Sequence, residues 1–188
     1  MDYQLGKIPT RSGLASVVRY QEMQPTLEEG VFLADGARVI GDVVLGKKCS
    51  VWFNAVVRGD VNKVVVGENT NIQDGAIVHC TFKKFSTTIG KNVSIAHLAM
   101  VHGCVIEDDC LIGMQAIVMD GAVVGKGSIV GAGAIVTQGT IIPPGSLVLG
   151  APAKVARAVK PEELAGVLAT TERYLDYCKG YDFTKESR

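Results

Sequence analysis

The sequence has no excess of charge of either sign: nineteen Lys and Arg balance nineteen Asp and Glu, for a formal net charge of zero. No basic stripe or run of like charges occurs, which excludes nucleic acid and anionic membrane surfaces as expected partners. Aromatic residues are scarce, 6% of 188 positions with a single Trp, so large rings do not build the core. The five cysteines, at 49, 80, 104, 110 and 178, are odd in number and form no CxxC pair. Reduced, unpaired thiols are expected. Apolar runs are short and broken by Gly or Asp, so none reaches the length of a membrane span. The opening stretch MDYQLGKIPTRSG lacks the apolar region of a secretory signal, and a cytoplasmic location is expected. Asn92-Val93-Ser94 is then a chance match to the glycosylation pattern. What the chain does have is aliphatic bulk: 47% hydrophobic residues and 22 Gly. That is too apolar and too neutral for a disordered chain, and the length suits one domain. With so few rings, the core must consist of many small repeated layers.

A repeat supplies those layers. From Ile106 an aliphatic residue recurs every six positions: Ile112, Val118, Val124, Val130, Val136, Ile142, Val148. Four places after each anchor comes a small residue, as at Cys110, Ala116, Ala122, Ser128 and Ala134. Upstream the same frame holds Leu33, Val39, Leu45, Val51 and Val57, then Val66, Ile72 and Val78, then Ile89, Ile95 and Val101. All nineteen anchors are Leu, Ile or Val. A period of six suits neither a helix nor an alternating hairpin strand. It suits a parallel β-helix in which three hexapeptides complete one coil, the anchor pointing inward and the small residue filling the corner. The expected fold is all-β, a left-handed parallel β-helix of hexapeptide repeats over residues 33–153. Residues 1–32 would pack on the solenoid or cap its near end. Residues 154–188 would form a C-terminal helix and tail, the helix opening at Pro161-Glu162-Glu163 and serving as a cap.

The frame slips in three places before the repeat ends. Lys63-Val64-Val65 read as three extra residues, Cys80 to Thr88 as an expanded turn, and one residue is missing between Val101 and Ile106. Val61 falls in the small-residue slot.

The chain's only histidines are His79, His97 and His102. Counted in hexapeptides, His79 and His102 follow their anchors by one place and lie three hexapeptides apart, so they stack on one side in adjacent coils, about 4.8 Å apart. Arg58 holds the same slot one coil earlier. His97 follows its anchor by two places on a different side, with Asp74 in its slot one coil away and Gln73 beside that. One ion cannot easily collect all three imidazoles from a single chain, because the prism lies between them, but it can across an interface where one chain's His79/His102 side meets a neighbour's His97 side. Repeated head to tail, that contact closes a three-fold ring. Arg58 would then face the neighbour's Asp74. Three imidazoles with an open fourth position describe a catalytic metal site.

Arg58-Gly59-Asp60, Asn71-Ile72-Gln73-Asp74, Val78-His79, Ile95-Ala96-His97, Val101-His102-Gly103-Cys104 and Met119-Asp120-Gly121 together resemble the γ-class carbonic anhydrase family. The resemblance runs from about residue 5 to the C-terminal helix. It implies a homotrimer with a metal between subunits, Zn2+ or alternatively Fe2+ or Co2+, held by His79, His97 and His102. It implies that Gln73 orients the metal-bound hydroxide with help from Asn71, that Arg58, Asp60 and Asp74 are interface partners, and that Tyr174 is a further catalytic candidate. The implied activity is reversible hydration of CO2 to bicarbonate. The expanded turn reads Cys80-Thr81-Phe82-Lys83-Lys84-Phe85-Ser86-Thr87-Thr88 and holds no acid or His. The chain therefore resembles the short-loop subgroup that lacks the acidic proton-shuttle loop, which leaves Tyr174 and buffer as expected proton routes.

Other functions stay open beside this one. The same metal chemistry could cleave an acyl-CoA thioester, with Lys83 and Lys84 attracting phosphates. Relatives that serve as non-catalytic trimeric scaffolds often lose ligands, which this chain has kept. Hexapeptide acyltransferases use a metal-free His as base, to which a stacked pair is less suited.

Overall fold

The computed structural model describes residues 14–183. The chain winds as a parallel β-solenoid of about seven turns and ends in one helix. Its first side stacks seven parallel strands: Phe32–Leu33, Ser50–Val51, Asn71–Ile72, Ser94–Ile95, Leu111–Ile112, Ile129–Val130 and Ser146–Leu149. The second side carries Ile77–His79, Met100–His102, Ile117–Val118 and Ile135–Val136, and the third carries Thr87–Ile89, Val105–Ile106, Val123–Val124 and Ile141–Ile142. Two long strands, Arg38–Leu45 and Val56–Val66, run around the corner joining these last two sides.

Strand alternation turns every anchor inward, and none of the nineteen exposes more than 3% of its surface. Each buried Val, Leu or Ile side chain contributes about 1.5–3 kcal/mol. The small-residue slot is equally closed at Cys49, Ala55, Cys110, Ala116 and Ala122, at 1% or less. Gly67 shows how tightly the coils stack: a Cβ there would sit 2.6 Å from the Gly90 carbonyl carbon in the next coil.

The ends differ from the expectation in their details. The described part of the N-terminal segment adds a partial first coil, Ser16–Val18 pairing with the start of Arg38–Leu45 and Thr26–Leu27 with its end. Residues 1–13 lie outside the described residues. At the far end, Lys154–Ala158 turns back antiparallel on Ser146–Leu149 and stops the parallel stack. The helix, Pro161–Lys179, is present but lies along the first side rather than across the end. Leu164 sits beside Gly127, while Tyr174 stands edge-on to Trp52 with ring centroids 5.1 Å apart. The reason is apolar surface outside the coil: Phe32, Ala34, Trp52 and Cys178 form a second buried cluster with Phe53, Tyr174, Tyr181 and Phe183 packed against it.

The first frame slip also lies elsewhere. Gly41 pairs with Gly59 and Val43 with Val64, so the single residue Asp42 faces the four residues Asp60 to Lys63. Val64, fully buried, takes the corner place expected for Val61, which is only partly buried. Both are β-branched aliphatics, so composition does not distinguish them.

Candidate functional site

All three irregularities fall at the corner between the second and third sides, in consecutive coils, and there the histidine pair sits. His79 and His102 are direct partners in adjacent parallel strands. His79 Nδ1 and His102 Nε2 face each other at 3.0 Å. The outer nitrogen of each ring meets a carboxylate. His79 Nε2 lies 3.0 Å from Asp60 Oδ1, and His102 Nδ1 lies 2.6 Å from Asp120 Oδ1. Arg58 Nη1 donates to Asp60 Oδ2 at 2.6 Å, and Thr81 Oγ1 donates to Asp120 Oδ2 at 2.6 Å. Burial pushes the Asp60 carboxyl up, but hydrogen bonds from His79 and Arg58 outweigh it and hold the group below its ordinary range. At Asp120 burial acts in the same direction and is outweighed by hydrogen bonds from Thr81 and His102.

His97 is placed on the first side, just past Ser94–Ile95, with Nδ1 2.8 Å from Asp74 Oδ2. Each of the three imidazoles therefore has one aspartate on one ring nitrogen. His97 and Asp74 are nearly half exposed, at 44% and 43% of their side chains, and so face outward. Among the described residues, no group of three His, Cys, Asp or Glu side chains converges within one chain.

Gln73 and Asn71 lie on His97's side, beneath the helix's flank, and are nearly fully buried. Gln73 Nε2 donates to Asn71 Oδ1 at 2.9 Å, and Asn71 Nδ2 donates to Ser94 Oγ at 2.9 Å. This chain of bonds holds the Gln73 amide in one orientation. Burial, followed by the Asp74 charge, pushes the Tyr174 phenol up to about 12, so it keeps its proton at neutral pH. Arg58 spends its guanidinium on Asp60 within its own chain. Cys80 adjoins His79, yet its thiol donates to Asn62 O at 3.0 Å and belongs to the core.

The pair fits a divalent ion. With both outer N–H groups given to carboxylates, the facing nitrogens present lone pairs that only a shared proton or a cation can reconcile at 3.0 Å. Two ligands at 2.0–2.1 Å on a tetrahedral ion lie about 3.3 Å apart, close to that spacing. A carboxylate behind each ring is the usual outer partner of a metal-bound imidazole. In the sequence Asp120 stands in a family motif, Thr81 in the expanded turn and Ser94 in a chance glycosylation match, and none of these gives it a role at the site. The available signal was that Asp120 follows its anchor by two places in the coil next to His102.

A family model described as bacterial transferase hexapeptide, six repeats, matches residues 103–138. The chain is 51% identical to a probable carbonic anhydrase of Methanocaldococcus jannaschii over 79% of this chain and 93% of that one. It is 42% identical to the mitochondrial γ carbonic anhydrase 2 of Arabidopsis thaliana over 82% of its own length and 58% of that relative's. Among solved structures, a hexapeptide transferase family protein of Anaplasma phagocytophilum superimposes with a TM-score of 0.84 at 41% identity, covering 88% of this chain and 98% of that one. No described helix is long and apolar enough to cross a membrane. At 51% identity across nearly the whole of one such relative, the chain belongs to the γ-carbonic anhydrase family of hexapeptide-repeat proteins.

Proposed function

We propose that the chain is a metal-dependent carbonic anhydrase that interconverts CO2 and bicarbonate at sites between the subunits of a homotrimer. The observation that carries this reading is the pair of imidazole nitrogens facing each other at 3.0 Å, each ring backed by an aspartate. His79 and His102 of one subunit would bind the ion together with His97 of the next. Bound there, Zn2+, Fe2+ or Co2+ would supply the Lewis acidity that brings the ionisation of water to near pH 7.

The chain's own residues do the rest. Asp60, Asp74 and Asp120 hold each ring nitrogen's proton outward and leave the opposite nitrogen free to bind. Gln73, held by Asn71, orients the attacking water. CO2 has no leaving group to protonate, so the site needs no general acid; the proton that the attacking water gives up would leave to buffer, since Tyr174 keeps its own at neutral pH. Exposed apolar side chains beside both halves of the site support the trimer: Ile77 and Met100 next to the pair, Leu98 and Met114 next to His97, each between 39% and 59% exposed.

A coenzyme A thioester is the second substrate class, favoured by one observation. Phe82 is 64% exposed on the expanded turn, with the Lys83 ammonium 5.0 Å from its ring centre and Lys84 similarly placed over Phe85. A scaffold role is disfavoured by the retention of all three imidazoles with their aspartates.

Stopped-flow CO2 hydration by protein purified anaerobically and loaded in turn with Zn2+, Fe2+ and Co2+ tests the proposal. Activity that disappears in His102→Ala is expected. Silence with all three metals, despite one bound ion per chain, would overturn it and move thioester hydrolysis to first place.

A further inference from the structure

The expanded turn Cys80–Thr88 is the largest departure from the repeat, and it carries no acid or imidazole. Its Thr81 instead reaches a carboxylate two coils away in sequence order, on Asp120. We infer that Asp120 and Thr81 are positioning residues that select which nitrogen of His102 faces His79, an inference that rests on the metal reading above.

The geometry leaves Asp120 no freedom. Oδ1 accepts from His102 Nδ1 and Oδ2 accepts from the Thr81 hydroxyl, both at 2.6 Å, so the carboxylate is held at both ends. Thr81 is fixed in turn: its backbone N–H donates to Phe85 O at 2.9 Å, and its carbonyl accepts from Asn62 Nδ2 at 3.2 Å. The shortened corner makes the room. Gly103 adopts φ +56°, and a Cβ there would lie 2.3 Å from Asp120 Oδ1 and 2.9 Å from Phe85 Cβ. Gly121 N–H donates to Gly103 O at 2.7 Å and ties Asp120's coil to His102's. Insertion, deletion and regular coil thus combine to put one carboxylate on one ring atom.

The consequence concerns the tautomer. A neutral imidazole has one N–H, and Asp120 holds it on Nδ1, which leaves the Nε2 lone pair facing His79. Without Asp120 the proton is free to move to Nε2, where it occupies the atom that would bind the ion. Outer partners of this kind are worth roughly 10–100-fold in metal affinity. The turn therefore serves His102's orientation.

The test uses the full-length protein. Zn2+ affinity is measured by competition with a chromophoric chelator for the wild type, Asp120→Asn, Asp120→Ala, Thr81→Val and Thr81→Ser. The His102 tautomer is read in the metal-free proteins from imidazole 15N shifts, and thermal melting reports on the fold. We expect Asp120→Ala to lose roughly 10–100-fold in affinity and to show His102 in mixed tautomers. Asp120→Asn, which keeps the shape of the side chain, should show a smaller loss, Thr81→Val a smaller loss still, and Thr81→Ser recovery to the wild-type value. Wild-type affinity and an unchanged Nδ1–H signal in Asp120→Asn and Asp120→Ala would overturn the inference. If the wild type binds no ion, the metal reading fails separately, and the tautomer decides this inference alone: an Nδ1–H signal that survives Asp120→Ala sinks it.

Discussion

Two stretches of the same solenoid obey different rules. From Ile106 to Val148 every corner is reached after six residues, the small-residue slots through Ala134 are closed, and no histidine appears. From Val57 to Ile106 the anchors are just as buried, yet one corner gains three residues, the same corner of the next coil widens into an expanded turn, and that of the coil after loses a residue. All three histidines and their partners Asp60 and Asp74 lie in that second stretch, and only Asp120 reaches in from the regular one. Regularity gives cohesion, and its local failure gives chemistry. Each break aims a particular group: the insertion delivers Asp60 to His79, the expanded turn delivers Thr81 to Asp120, and the shortened corner admits Asp120 to His102. Irregular strand corners commonly re-aim side chains in this way.

Substitutions on either side of that divide should separate stability from metal binding. The largest effect on folding is expected from Ile112→Ala in a regular coil. Ile112 is fully buried, and its truncation should cost about 2–5 kcal/mol by cavity formation. Equilibrium denaturation checks the loss, while the metal content of the folded fraction should stay at the wild-type level. A fall in metal content would show that the regular coils are not merely a frame.

A smaller folding effect with a larger effect on the site is expected from Gly103→Ala. The left-handed conformation of Gly103 costs an Ala about 1–2 kcal/mol, and the new methyl displaces Asp120. Melting and metal affinity measured on the same sample check both parts. An unchanged affinity would mean that the shortened corner is a packing feature only.

Much of this arrangement was legible in the sequence, because a β-helix turns arithmetic into geometry. Counting hexapeptides placed His79 beside His102, put His97 and Asp74 on another side, and identified the inward anchors, and the strand register agrees in each case. Counting failed where a residue's place depends on a neighbouring coil. The insertion was misplaced because Val61 and Val64 both suit the corner. The helix's position followed from Phe32 and Trp52 projecting from the first side, which only packing reveals. The role of Asp120 and Thr81 is not legible in their motifs because the two meet through a hydrogen bond across coils, 39 residues apart.

The central claim is that the site is divided between subunits, and complementation tests it most directly. His97→Ala and His102→Ala chains, each purified alone, should be folded and bind little metal. Unfolded together and refolded as a mixture, they should regain metal wherever the intact His79/His102 pair of a His97→Ala chain meets the His97 of a His102→Ala chain. Recovery of bound metal and of CO2 hydration in the mixture, and in neither parent, is the predicted result. Full metal retention by His97→Ala alone, or mixed trimers that recover nothing, would contradict a site shared between chains.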